Sequence, residues 1–247
     1  MASGNGALIG GFIITGNQTK KVVLRAIGPS LQSSLPNVLP DPVLELHSSA
    51  GSLLTRNDNW TDDSAQAAEL IAKNLAPAHQ LESAIVAILA PGTYTAMVLE
   101  NNSASGVGVV EVYDVGSQNG SRLANISTRG IVQSADNVLI GGFILGGSNG
   151  NTKILLRTIG PSLAMAGVTN ALADPVLELR DQNGALLLAN DNWEDQQRAA
   201  IEQTGIPPGD PAESAIVADL SPGAYTAIVT GKNGSSGTAL VEVYNLP

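Results

Sequence analysis

Short apolar runs separated by turn residues fill most of the chain, and within each run apolar positions alternate with polar or small ones. Runs of roughly four to eight residues bounded by Gly, Pro, Asn and Ser are typical of β-strands. The pattern predicts three hairpins, formed by Leu8–Thr15 with Lys21–Ile27, Val43–His47 with Leu53–Arg56, and Ser83–Leu89 with Thr93–Leu99. It therefore predicts an all-β fold of antiparallel β-sandwich type.

The whole pattern occurs twice along the chain. Short motifs recur: Leu8–Ile13 as Leu139–Ile144, Gly28–Leu31 as Gly160–Leu163, Asp41–Leu46 as Asp174–Leu179, Asn57–Trp60 as Asn190–Trp193, Glu82–Ala87 as Glu213–Ala218, and Val110–Tyr113 as Val241–Tyr244. Every aromatic residue of the first copy has a partner in the second. Internal repeats of this kind indicate duplicated structural units. The sequence predicts two tandem antiparallel β-sandwich modules, residues 1–117 and 118–247.

One segment of each copy departs from strand-like alternation. In Ser64–Leu75, apolar residues recur at helical spacing, and Thr61, Asp62 and Asp63 are candidate N-caps. The second copy shortens the segment to Glu194–Gln203. Each module is therefore predicted to carry a short helix, and the segment that begins at Gly28 is a second candidate for a short helix or an irregular loop.

The segment 121–137 has no counterpart before Leu8. Leu123, Asn125 and Ser127 alternate with the residues between them, as in an edge strand. We interpret the segment as a strand that belongs to the second copy, with a linker as the alternative. The second copy is then one strand longer than the first. The first module either tolerates an open edge or receives a strand from a neighbouring chain.

Composition and charge exclude several classes of function. The chain has 12 Lys+Arg against 22 Asp+Glu and a net charge of −10, which argues against nucleic-acid binding. No apolar run reaches the roughly 18 residues that a membrane-spanning helix needs, so no membrane insertion is predicted. Cysteine is absent, and the two histidines do not recur between the copies. Without a recognisable catalytic motif, the sequence predicts no enzyme.

Acidic residues at the strand ends form a candidate metal site in each copy. The candidate ligands are Asp41, Asp58 and Glu82 in the first copy and Asp174, Asp191 and Glu213 in the second. Hard cations such as calcium prefer several carboxylate and carbonyl oxygens supplied by loops. The alternative is turn chemistry, because Asp and Asn side chains commonly bond to their own backbone in turns.

Trp60 and Trp193 are candidates for ligand contact, because an exposed tryptophan can stack on a sugar ring or anchor a partner protein. The alternative, which their position beside the helical segment favours, is packing against that helix. Arg25 and Arg157 each lie inside an apolar strand. A charge there needs a carboxylate partner, and we predict a structural ion pair within each copy.

The chain resembles the bacterial pre-peptidase C-terminal domain. The motifs that carry the resemblance are Asp41–Leu46, Gly51–Leu54, Asn57–Trp60, Glu82–Leu89, Pro91–Thr95 and Val107–Val112. The resemblance implies a jelly-roll-like β-sandwich, an extracellular or cell-surface location, and a family in which some members bind calcium and others bind collagen. Leu8–Ile27 and Gly28–Leu31 depart from the family pattern.

These observations together predict a non-catalytic extracellular module. Its expected role is adhesion or accessory binding, with a polysaccharide or an extracellular matrix protein as partner. The alternative is a self-assembling structural subunit of a surface layer or filament, in which copies of the chain associate by strand addition as a homo-oligomer.

Overall fold

The computed structural model describes residues 7–101, 105–116, 120–133, 137–146 and 150–247. The first strands are β1 (Leu8–Thr15), β2 (Lys20–Ile27), β3 (Pro42–Ser48), β4 (Leu53–Asn57), β5 (Ser83–Leu89), β6 (Gly92–Glu100), β7 (Val109–Asp114) and β8 (Arg122–Val132). They are followed by β9 (Leu139–Leu145), β10 (Thr152–Ile159), β11 (Pro175–Asp181), β12 (Leu186–Asn190), β13 (Ser214–Leu220), β14 (Gly223–Gly231) and β15 (Gly237–Asn245). The all-β prediction is confirmed.

The chain divides into two compact units, unit 1 (Met1–Ile126) and unit 2 (Ser127–Pro247). The division falls inside β8. The predicted boundary at 117/118 lies outside the described residues. Strands β1 to β7 of unit 1 and strands β9 to β15 of unit 2 follow in the same order, and these strands pair antiparallel within each unit.

Unit 1 contains two sheets that pack face to face. One has the order β4-β3-β6-β1 and continues to β8, and the other has the order β5-β2-β7. Residues from both sheets fill the space between them: Phe12, Ile14, Val22, Leu24, Leu44, Leu46, Ile85, Leu89, Ala96 and Val98. Unit 2 has the orders β12-β11-β14-β9 and β13-β10-β15, and the second of these continues to β8.

Two of the three predicted hairpins are wrong. β3 and β4 pair as predicted, but β1 pairs with β6, and β2 pairs with β5 and β7. The turn after β1 therefore leads from one sheet to the other, as does the turn between β5 and β6. Alternation identifies the buried face of a strand, but both strands of a hairpin and both strands of a sheet-to-sheet corner have such a face. The pattern alone could not separate the two cases.

Short helices cover the outer face of each three-stranded sheet. Helix α1 (Ser64–Ala72) begins as predicted, with the Asp63 carboxylate accepting the N–H groups of Ala65 and Gln66, and ends before the predicted Leu75. In unit 1, Leu70 of this helix packs with Val23 and Ala84. The smaller sheet is thus buried on both faces, which explains the nearly continuous apolar sequence of β2.

The remaining helical segments are short. Helix α3 (Arg198–Gln203) begins later than the predicted Glu194. Pro29–Leu31 forms a 3-10 turn, and the equivalent Pro161–Met165 forms helix α2. Each follows a glycine that the backbone approaches closely, since a Cβ at Gly28 would lie 2.1 Å from the carbonyl oxygen of Leu39. Among the described residues, no helix combines the length and apolar character that crossing a membrane requires.

Candidate functional site

The first part of β8 belongs to unit 1, not to the second copy as predicted. Leu123 packs against the core of unit 1. The hydroxyl of Ser121 accepts the N–H of Gln18 at 2.9 Å and donates to its carbonyl oxygen at 2.7 Å. Gln18 lies in the turn after β1, so these bonds fix the start of β8 beside that strand. The second part, Ser127–Val132, belongs to unit 2, where β8 lies beside β15. Residues 134–136 of the predicted segment lie outside the described residues.

Strand β9 is the counterpart of β1, but its outer edge has no neighbour among the described strands. The exposures of equivalent residues follow this difference. Ile140 is 55% exposed and Ile144 is 72% exposed, whereas their counterparts Ile9 and Ile13 are half-buried. Two apolar side chains therefore lie at the surface on a strand whose outer backbone groups are unpaired within the described structure.

Strand β7 shows the complementary difference from its counterpart β15. In unit 2, β15 lies beside β8, whereas β7 ends the smaller sheet of unit 1. Val107 is 46% exposed and Val109 is 38% exposed, while the equivalent Thr238 is buried and Leu240 is half-buried. Unit 1 thus lacks the neighbour that the second part of β8 provides in unit 2.

The other sheet edges show no such difference, because each has an equivalent open edge in the other unit. β4 and β12 end the larger sheets, and β5 and β13 end the smaller ones. β4 and β12 are short and carry exposed leucines: Leu53, Leu54, Leu186, Leu187 and Leu188. Since these edges are alike in the two units, β7 and β9 are the described edge strands that differ from their counterparts. The counterparts, β15 and β1, have a neighbour on both sides.

The predicted metal ligand Glu82 has a different role. Its side chain is fully buried, and Oε1 accepts the N–H groups of Gly28 and Ser30 at 3.1 and 2.9 Å. Oε2 accepts the Ser30 hydroxyl at 2.7 Å and the N–H of His79 at 3.1 Å. Glu213 repeats this arrangement with Gly160 and Ser162. Both glutamates anchor the turn that the Gly-Pro-Ser motif begins, a role that sequence reasoning missed.

The two aspartates of each predicted site do come together. In unit 1, Asn101 Nδ2 donates to Asp41 Oδ2 at 3.1 Å and lies 3.3 Å from Asp58 Oδ2. In unit 2, Lys232 occupies the position of Asn101, with Nζ 2.6 Å from Asp191 Oδ2 and 3.5 Å from Asp174 Oδ2. The described residues include no group of three or more His, Cys, Asp or Glu arranged to hold a metal ion. Calcium binding therefore stays a prediction, and of its proposed ligands the structure brings together the two aspartates of each unit but not the glutamate.

The tryptophans pack against the sheet and helix of their own unit. Trp193 is 7% exposed, contacts Ile201 of α3, and donates its indole N–H to the carbonyl oxygen of Asp210. Trp60 is half-buried and donates to the carbonyl oxygen of His79. All aromatic residues of the chain lie in its described parts, and none is exposed. No aromatic ring of the chain therefore lies largely in solvent, and Trp60 keeps only part of its surface exposed.

The predicted ion pairs of both arginines are confirmed. Arg25 Nε donates to Glu111 at 2.7 Å and Nη1 donates to the Leu75 carbonyl oxygen at 3.0 Å, and the guanidinium carbon lies 5.0 Å from the Tyr113 ring centroid. Each arginine thereby links the smaller sheet to the loop that follows the helix.

Unit 2 repeats this network. Arg157 Nε donates to Glu242 at 2.9 Å, and Nη1 donates to the Ile206 carbonyl oxygen at 2.7 Å. Tyr244 donates its hydroxyl to Glu242 at 2.9 Å. Burial and the neighbouring Glu242 carboxylate raise the pKa of Tyr244 to about 12, so the phenol keeps its proton to a more alkaline pH than an ordinary tyrosine does.

Comparisons with known proteins yield only distant structural likenesses. No family model and no curated protein matches the chain. The STIV MCP aligns over 96% of this chain and 92% of its own, at 13% identity and a TM-score of 0.28. VP2 of the infectious bursal disease virus subviral particle aligns over 97% and 71%, at 9% identity and a TM-score of 0.22. Scores this low assign neither a fold family nor a function.

Proposed function

We propose that this chain is a non-catalytic structural subunit whose copies assemble by strand addition at open sheet edges. The observation that carries the proposal is the edge of β9. Ile140 and Ile144 are exposed there, whereas the identical residues Ile9 and Ile13 of β1 are half-buried. The duplicated sequence acts as an internal control, because Leu8–Ile13 and Leu139–Ile144 are identical and their surroundings differ.

Strand addition would remove two unfavourable features of this edge together. An added strand pairs the outer N–H and C=O groups of β9 and removes exposed apolar surface from water. Natural edge strands usually carry charged residues, prolines or bulges that prevent pairing with another chain. The segment Leu139–Leu145 contains no charged residue and no proline. The edge therefore has the properties of an interaction site.

The same features support assembly over polysaccharide binding. Stacking on a sugar needs an exposed aromatic ring, and both tryptophans are occupied by packing within their unit. The jelly-roll-like character of the tandem modules, the extracellular or cell-surface setting and the absence of catalysis are parts of this proposal that rest on the family resemblance and on the sequence.

Sedimentation over a wide range of protein concentration tests the proposal. We expect the unmodified chain to self-associate, and Ile144→Lys to weaken the association because a buried ammonium opposes strand addition. Ile88→Lys is the matched control, since Ile88 is an exposed isoleucine whose counterpart in unit 2 is Asp219. A chain that stays monomeric at its highest soluble concentration, or equal association of Ile144→Lys and the unmodified chain, would overturn the proposal.

A further inference from the structure

We propose that the edge of β9 accepts a strand with the sequence of Arg122–Ile126, supplied by another copy of this repeat. This inference rests on the proposed assembly and names its partner. Within unit 1, β8 is the strand that lies against β1, and its residues up to Ile126 belong to that unit. Because β9 repeats the sequence of β1, the same strand is the expected occupant of its open edge.

The acceptor edge is already formed in unit 2. Phe12 of β1 lies opposite Tyr94, and Phe143 of β9 lies opposite Tyr225 in the same register. The two aromatic pairs have ring centroids 5.4 and 5.5 Å apart with the same interplanar angle of 23°. The inner neighbours of β1 and β9 thus hold both strands alike, and a strand that fits β1 needs little rearrangement to fit β9.

The donor strand has side chains that suit this position. Leu123 packs against the core of unit 1, and Ala124 and Asn125 are buried. Its alternation places the leucine toward the core when the strand lies at the edge of the larger sheet. A one-residue slip would turn Leu123 outward, so the register is specified by the strand itself.

The connection to such a strand also recurs. Strand β7 ends at Asp114, and β8 begins at Arg122, with residues 115–121 between them in the sequence. Strand β15, the counterpart of β7, ends at Asn245, and Leu246 and Pro247 take the places of Val115 and Gly116. A strand that follows Pro247 with the spacing of residues 117–126 would therefore start from the position equivalent to that of β8.

Grafting a second copy of residues 117–126 directly after Pro247 of the full chain tests the inference. We expect backbone amides of Leu139–Leu145 to exchange about tenfold more slowly with the graft, which is the factor that ~1.4 kcal/mol of added stability gives. The matched control is the same graft with aspartate in place of its leucine. Exchange of Leu8–Thr15, which β8 already covers, should be the same in both proteins and reports correct folding.

Equal exchange of Leu139–Leu145 with the graft and with its aspartate control would overturn the inference. If the grafted chain does not fold, a synthetic peptide of residues 117–126 added to the unmodified chain serves instead. Protection of the same amides by this peptide, and not by the aspartate peptide, supports the inference, and equal exchange overturns it.

Sedimentation of the grafted chain separates this inference from the proposed function. If the unmodified chain is monomeric but the graft protects β9, the assembly proposal fails and the strand assignment stands. If the chain associates equally with and without a graft that protects β9, assembly uses another edge. Loss of association in the grafted chain supports both, because the graft then occupies the edge that copies use.

Discussion

The ammonium of Lys232 lies 2.6 Å from the carboxylate of Asp191, and no such cation faces Asp58 at the equivalent place in unit 1. Asn101 occupies that place. We expect Asn101→Lys to raise the melting temperature, because a cation there balances the charges of Asp41 and Asp58. Lys232→Asn should lower it. Thermal unfolding followed by circular dichroism measures both, and a rise that disappears in high salt would identify the effect as electrostatic.

The Lys232 contact also has a pH dependence. The hydrogen bond that Lys232 donates to Asp191, together with the charge of Asp174, raises the pKa of Lys232 above its ordinary value of 10.5. The ammonium therefore contributes stability that is fully present below pH 10.5 and is lost as the pH rises through the higher pKa of the folded state. The melting temperatures of the unmodified chain and Lys232→Asn should converge above that range. A difference that persists unchanged would contradict the assignment.

Calcium should act on unit 1 if the aspartate pair binds it. The expected result is a higher melting temperature in excess calcium than in chelator, because a ligand that binds only the folded state stabilises it. Asn101→Lys should abolish the increase, since the introduced ammonium takes the place of the cation. Identical melting curves of the unmodified chain in calcium and in chelator would leave turn chemistry as the role of Asp41 and Asp58.

The Arg157–Glu242 pair should respond unequally to loss of either partner. Breaking a buried pair typically costs about 3–5 kcal/mol because a charge is left without its partner. Glu242→Gln should lower the free energy of unfolding by about 3 kcal/mol, the low end of this range, because Arg157 keeps its bond to the Ile206 carbonyl oxygen. Arg157→Met should lower the free energy of unfolding by less. Urea unfolding measures the two free energies, and the reverse order would contradict the prediction.

Tyr244 should ionise late in an alkaline titration. Its pKa in the folded chain is about 12, against an ordinary value of 10.0, chiefly because of burial and then the Glu242 carboxylate. The folded state therefore holds its proton more tightly, and the stability this gives is present below pH 10.0 and falls as the pH rises to about 12. Phenolate absorbance compared with Tyr244→Phe follows the ionisation. An absorbance change of this residue completed near its ordinary pKa would contradict the burial.

Some elements could be predicted because their determinants are local. The period-two pattern predicts six inward-facing residues in β5 and β6: Ile85, Ala87, Leu89, Tyr94, Ala96 and Val98. Four of them are buried, and Ala87 and Tyr94 are half-buried. The α1 start followed from Asp63 as N-cap. The ion pair of Arg25 followed from a charge in an apolar strand. In each case the signal lies within a few residues of the element it specifies.

Other features depend on distant partners. The strand β8 contains no information on which unit its two parts join, because alternation marks a strand and not its neighbour. The role of Glu82 depends on N–H groups more than fifty residues away, at Gly28 and Ser30. The sequence offered one signal, since Gly-Pro-Ser and the buried glutamate recur together in both copies.

The division of the chain within β8 has a consequence for unfolding. Donation of Arg122–Ile126 to another copy removes this segment from unit 1 and frays the strand that continues into unit 2 as Ser127–Val132. In linear repeat proteins, the stability of each unit includes a contribution from its nearest neighbours. Exchange of the amides of Arg122–Val132 should therefore respond to substitutions in either unit. A polypeptide made of more such repeats would gain stability with each repeat added.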